Sequence, residues 1–161
     1  MKRISIALLL ILGLTPACGR PFEAKTPAGF VELEEKHSDY DYRATTADGL
    51  VVAIRVEEHK PRGELTFWER AVENQLRMRG GYALLDTRDV QNANGIAGRQ
   101  LRFGHDEAGK PHLYYVTIYP TKRKLFILEA GGWSEEVEKN TALVEEAIAR
   151  FRVKRCWRNG C

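Results

Sequence analysis

The chain has 161 residues, 25 basic and 22 acidic, for a formal net charge of +3. That length fits one domain with a single core, and a balance so near neutrality gives no reason to expect a nucleic-acid binder, which normally carries a strongly basic face.

The first element is an export signal. Lys2 and Arg3 precede an apolar run from Ile4 to Leu14, and Ala17 stands directly before Cys18. Crossing the hydrocarbon core takes about 20 apolar residues, and this run ends short of that at Thr15 and Pro16. The segment Leu14-Thr15-Pro16-Ala17-Cys18 resembles the lipobox of bacterial lipoproteins, with Leu14 one place further from the cysteine than in the family. The resemblance implies cleavage before Cys18, lipid on its sulfur, and a signal peptide over residues 1–17. Losing Lys2 and Arg3 would leave 23 basic residues of the 25 against the 22 acidic ones. The implied address is extracytoplasmic and lipid-anchored. Gly19 in place of an aspartate points to an outer membrane facing the periplasm.

Residues 18–28 carry Pro21 and Pro27 and few apolar side chains, so they read as a lipidated tether spanning at most about 35 Å. The folded domain is expected over residues 29–153. Strands are expected from Phe30 to Glu34 and from Tyr40 to Thr46. A third follows, in which Leu50, Val52, Ile54 and Val56 face a core while Arg55 and Glu57 take the other side, after an Asp48-Gly49 hairpin turn. Thr66 and Glu69 form a capping-box pattern. Trp68, Val72 and Leu76 then recur at helical spacing until Gly80-Gly81 ends the helix. Four strands follow: Tyr82 to Val90, Ala97 to Phe103, Leu113 to Tyr119 and Leu125 to Ala130, separated by Asn94-Gly95, Ala108-Gly109 and Pro120-Thr121. Ser134 is expected to cap one closing helix whose apolar stripe is Val137, Val144, Ala147/Ile148 and Phe151.

The order is β-β-β-α-β-β-β-β-α, an α+β class with an antiparallel sheet covered by two helices in a layered α/β/α sandwich. That order, with Gly80-Gly81-Tyr82 after the first helix and Tyr114-Tyr115 in the strand 113–119, resembles the PsbP/Mog1-like fold, in particular the DcrB-like family. The resemblance covers residues 29–153. Its members include envelope lipoproteins, an extrinsic photosystem subunit and secretion chaperones, so it implies protein binding without catalysis and without a cofactor.

Residue chemistry points the same way. His37, His59, His105 and His112 form no metal-ligand spacing; His37 with Asp39 and Asp41 is the nearest grouping and reads as loop. No nucleophile elbow or phosphate-binding glycine loop occurs. The acidic pairs Glu34-Glu35, Glu57-Glu58 and Glu145-Glu146 point in diverging directions. Gly131-Gly132 precedes a helix whose first turn already carries Glu135 and Glu136, which repel an anion. Lys122-Arg123-Lys124 sits at a hairpin tip, where it reads as a solubilising face or as a contact for an anionic partner.

Residues 154–161 form a basic tail in which Arg155, Trp157 and Arg158 suit a membrane interface or a partner surface. With Cys18 lipidated, Cys156 and Cys161 are left to pair as a disulfide in an oxidising compartment, with Asn159-Gly160 supplying the turn. The function expected is a membrane-anchored, non-catalytic binding or accessory module with an envelope protein partner. The alternative is an enzyme or small-ligand binder whose site has no sequence motif. Oligomeric state is not legible.

Overall fold

The computed structural model describes residues 19–34 and 39–154. Its framework is a seven-stranded antiparallel sheet in the order β2-β3-β4-β8-β7-β6-β5. The strands are β2 (Val31–Glu32), β3 (Tyr42–Thr45), β4 (Val51–Glu58), β5 (Ala83–Gln91), β6 (Ala97–Glu107), β7 (Lys110–Pro120) and β8 (Lys124–Trp133). Helix α1 (Leu65–Gly80) crosses one face, and α2 (Ser134–Lys139) and α3 (Thr141–Arg150) cover the other. The expected α+β layering is what forms.

Alternation along each strand builds two cores. Toward α2 and α3 point Val52 and Ile54 of β4, Tyr115 and Tyr119 of β7, and Phe126, Leu128 and Ala130 of β8, meeting Val137, Val144, Ile148 and Phe151. Toward α1 point Leu101, Phe103, Val116, Ile118, Leu125 and Ile127, meeting Trp68, Val72 and Leu76. Phe151 is the hub of the first core, with its ring 5.7 Å from Phe22, 5.7 Å from Tyr119 and 5.6 Å from Phe126. Burial of one such side chain contributes about 2 kcal/mol. Gly98 is required here: a Cβ would stand 2.4 Å from the Tyr119 ring and 2.7 Å from the Ile118 carbonyl oxygen.

Four expectations are corrected. Residues 19–28 are not a free tether. Phe22, only 2% exposed, sits in β1 (Phe22–Glu23), which pairs with β9 (Arg152–Val153), and Ala24 packs on the same core. Two-residue strands carry no periodicity, so the proline-containing stretch concealed one anchoring aromatic. Second, Thr66 does not cap α1. The carbonyl of Glu64 already accepts from the amides of Phe67 (3.0 Å) and Trp68 (3.3 Å), so the helix starts ahead of the capping-box pattern. Gly81 closes it as expected, at φ +66°, its amide donating to the Leu76 carbonyl.

Third, the closing helix is two helices. The Asn140 side-chain amide donates to the Glu136 carbonyl at 2.8 Å and the Thr141 hydroxyl to the Val137 carbonyl at 2.9 Å. Such side-chain bonds compete with the helical backbone ladder and interrupt it at Asn140, while the buried stripe continues on the same side. Fourth, Ser134 is the first helical residue and Trp133 the cap position, with no side-chain capping bond.

Candidate functional site

Helix α1 packs against β5, β6 and β7 but does not reach across the whole sheet. On that face β4 presents Ala53 and Arg55, and β8 presents Ile127, Glu129 and Gly131, in a register that sets Ala53 opposite Glu129 and Arg55 opposite Ile127. The result is a trough with the sheet as floor and α1 as one wall. One part, about 320 Å³, runs along Trp68, Val72, Gln75 and Leu76; the other, about 520 Å³, opens between Tyr40, Tyr82, His105 and His112. Tyr114 and Glu129 line both parts. A separate cavity of about 30 Å³ beneath α3 has room for only a water or two and borders the core.

A charged cluster occupies the centre of the floor. The Glu129 side chain is 5% exposed. Arg55 donates to its Oε1 through Nε at 3.0 Å and again through Nη2. The hydroxyls of Tyr114 and Tyr40 also bond to this carboxylate. The Arg55 guanidinium lies 5.7 Å from the Tyr40 ring centre, and that of Arg43 lies 5.9 Å from it on the same ring. Burial pushes the Tyr114 phenol well above its ordinary range, and the negative charge of Glu129 and the hydrogen bond to it push the same way. Tyr40 is raised by burial first and then by Glu129.

Both phenols therefore hold their protons at neutral pH. A carboxylate has about four acceptor positions, and two nitrogens and two hydroxyls take them up here. The cluster is a satisfied, rigid floor that presents aromatic faces and guanidinium edges. Toward β6, Tyr82 extends this aromatic lining, with its ring 4.8 Å from His105 and 5.5 Å from Tyr114. Among the described residues no three His, Cys, Asp or Glu side chains converge as metal ligands.

The second organised feature lies at the end of the sheet where β4 ends and β8 begins. His59, 8% exposed, brings its Nδ1 to within 2.6 Å of the Thr121 carbonyl oxygen, while its Nε2 accepts from the indole N–H of Trp68 at 2.9 Å and from the Gly63 amide at 3.0 Å. The Gly63 carbonyl oxygen also lies 3.0 Å from Nε2, so both ring nitrogens are engaged. The ring clamps the loop 59–64 to the β7–β8 hairpin tip and so gathers Lys60, Arg62, Lys122, Arg123 and Lys124 around a cleft of about 280 Å³.

Cys18, Arg155, Cys156, Trp157, Arg158, Cys161 and His37 lie outside the described residues. Asp41 is structural, accepting from the Val56 amide at 2.8 Å. Arg55, expected on the solvent face of its strand, is instead half-buried in the trough. Glu129 went unread, although an acid inside the apolar run Leu125-Phe126-Ile127-Leu128 was a signal: a charge on a core strand needs partners.

No family model matches the chain, and no curated protein matches it in sequence. Solved structures do match its shape. LpqN of Mycobacterium tuberculosis, described as involved in cell envelope biogenesis, aligns with TM-score 0.65 at 12% identity, over 83% of each chain. The fold is PsbP/Mog1-like. The cyanobacterial PsbP of Synechocystis aligns at 0.59 and 12% identity over 83% of this chain and 86% of its own, and the Ran-binding protein Mog1p of Saccharomyces cerevisiae at 0.59 and 13% over 85% and 92%. At such identities the likeness is one of fold.

Proposed function

We propose that the chain is a lipid-anchored protein of the bacterial envelope that acts as a non-catalytic binding or accessory module, receiving a protein partner in the trough beside α1. One observation carries the binding reading: the sheet face beside α1 is left half-covered, and its floor is a satisfied aromatic and charged platform. Strands of this length give a trough of roughly 30 Å, enough for an extended segment of a partner. Such a surface recognises shape and charge, and its acid and phenols are already committed to one another. Mog1p is named as Ran-binding, and LpqN is described as involved in envelope biogenesis. Both are precedents for this fold in such roles.

The anchor reading is supported by Lys2, Arg3, the apolar run and the Leu14–Cys18 segment. Among the described residues no helix is long and apolar enough to cross a membrane. Cys18 carries the lipid in this reading, Cys156 and Cys161 pair as a disulfide, and Arg155, Trp157 and Arg158 form a secondary contact for membrane or partner. Cys18→Ser then releases the chain from membranes, and free thiols counted after denaturation without reductant would contradict the pairing.

The binding proposal is tested by chemical crosslinking in native envelopes followed by purification of the full chain. A discrete partner is expected with the unchanged protein and is lost in Gln75→Trp, which fills the trough from its α1 wall at an exposed position. Turnover of a small substrate, abolished by Glu129→Gln in a variant that stays folded, would replace this reading with an enzyme.

A further inference from the structure

We infer that the end of the sheet carrying Lys60, Arg62, Lys122, Arg123, Lys124 and Lys154 is a docking surface for an anionic lipid bilayer, so that the strands stand away from the membrane and the opposite end faces outward. The inference rests on the anchor reading above and adds an orientation to it. Its basis is the convergence of chain entry, chain exit and charge at one end of the fold.

The topology fixes that end. Register pairs Glu58 with Lys124, Pro120 with Leu125 and Gln91 with Ala97, so the connections 59–64, 92–96 and 121–123 all emerge there. The Ala93 amide donates to the Phe151 carbonyl at 3.0 Å and the Val153 amide to the Asn94 side chain at 2.7 Å, which brings the last strand to the same end. The Lys154 amide then donates to the Pro21 carbonyl at 2.9 Å, which brings the start of the body there too. Cys18 is only three residues before Pro21, a reach of about 11 Å at full extension. A lipid on Cys18 therefore brings this end, rather than any other, against the headgroups.

Charge agrees. Lys60, Arg62, Lys122, Arg123 and Lys154 are exposed, and the cleft of about 280 Å³ between the two loops is lined by four more cations than carboxylates: Lys60, Arg62, Lys122, Arg123 and Lys124 against Glu58. Glu58 is engaged by Lys60 at 2.6 Å. Glu64 is a further acid in the 59–64 connection, whereas at the opposite end Asp48, Asp106, Glu107 and Glu135 are nearly balanced by Lys110 and by Arg77 and Arg79 in the last turn of α1. An anionic surface therefore attracts the first end more than the second, and a cleft lined by ammonium and guanidinium groups suits a phosphodiester headgroup. His59 gives the surface its shape, since it holds both loops in one place.

The test uses the full chain reconstituted in vesicles of one part phosphatidylglycerol to two parts phosphatidylcholine, and in vesicles of phosphatidylcholine alone. Lysine acylation is read by mass spectrometry. Lys60, Lys124 and Lys154 are expected to be protected by about threefold on the anionic vesicles only, with Lys110 at the far end unchanged. Half-molar salt should remove the protection, because it shortens the screening length to a few ångströms, and Arg62→Glu with Lys122→Glu and Arg123→Glu should remove it too. Equal labelling on both vesicles, or protection of Lys110 instead, overturns the inference. Protection found only in native envelopes and absent on protein-free anionic vesicles would assign the surface to a protein and likewise overturn it. The mass of the N-terminal peptide reports lipidation in the same experiment. If it carries no lipid, salt-sensitive co-sedimentation with anionic vesicles, lost in the triple variant, still supports the docking surface, and its absence refutes it.

Discussion

The two faces of the sheet are made by the same strands yet are finished differently. Toward α2 and α3, Phe22, Tyr119, Phe126 and Phe151 close a core sealed further by the N-terminal segment, and its buried charge is tied down: Arg102, 9% exposed, binds Gln100 at 2.7 Å and Glu145 at 2.8 Å and lies over the Tyr115 ring. Toward α1 one helix covers only part of the sheet, and Glu129 with Arg55 occupies the floor where a second helix would have packed apolar side chains. The covered face holds the molecule together, and the open face is what it has to offer a partner. Substitutions on the first should therefore change stability alone, and those on the rim of the second should change binding alone.

The largest effect is expected on the sealed face. Phe151→Ala removes the ring shared by Phe22, Tyr119 and Phe126 and should cost about 3–5 kcal/mol in denaturant unfolding. A loss below 1 kcal/mol would mean that this hub does not organise the core. Next comes Glu129→Ala, which strands Arg55 and two phenols and should cost about 3 kcal/mol. Arg55→Met together with Glu129→Leu should recover much of that loss, because a buried ion pair can be exchanged for apolar packing at little cost.

The alkaline limb of stability gives an intermediate test. The folded-state pKa of Tyr114 is raised, so its contribution is fully present below the unfolded value of about 10 and is lost as pH rises above it. There the unfolded chain binds fewer protons, and stability should fall by up to about 1.4 kcal/mol per pH unit for this group. Tyr114→Phe should flatten that limb. An unchanged limb would show that Tyr114 is not held protonated by the trough. Tyr119, on the sealed face, has a buried hydroxyl without a hydrogen-bond partner. Tyr119→Phe should be neutral or stabilising by about 1 kcal/mol, whereas Tyr114→Phe should destabilise by a similar amount at neutral pH. The smallest effect is on the rim, where Gln75→Trp should shift stability by less than about 0.5 kcal/mol.

Much of this architecture was legible because β4 alternates from Leu50 to Val56, the later strands are apolar stretches bounded by turn signals, and two of those turns carry glycines at positive φ, Gly95 and Gly109. The stripe Val137, Val144, Ile148 and Phe151 was read correctly even though the helix breaks at Asn140, since burial depends on the face and not on an unbroken ladder. What was not legible depends on contacts between residues far apart in sequence. Phe22 meets Val153 across the whole domain, and Arg55 reaches Glu129 over 74 positions. Neither partner signals the other locally. The basic run Lys122-Arg123-Lys124 was visible, but its company with Lys60 and Arg62 depends on the His59 clamp, which reads in sequence as a lone histidine.

The central claim is that partner binding belongs to the half-open face. A photo-crosslinking amino acid placed at Gln75, on the α1 wall of the trough, and separately at Ala149, on the outer side of α3, tests it in native envelopes. The account predicts one discrete crosslinked protein from position 75 and none from position 149. The same adduct from both positions, or an adduct from position 149 alone, would contradict it.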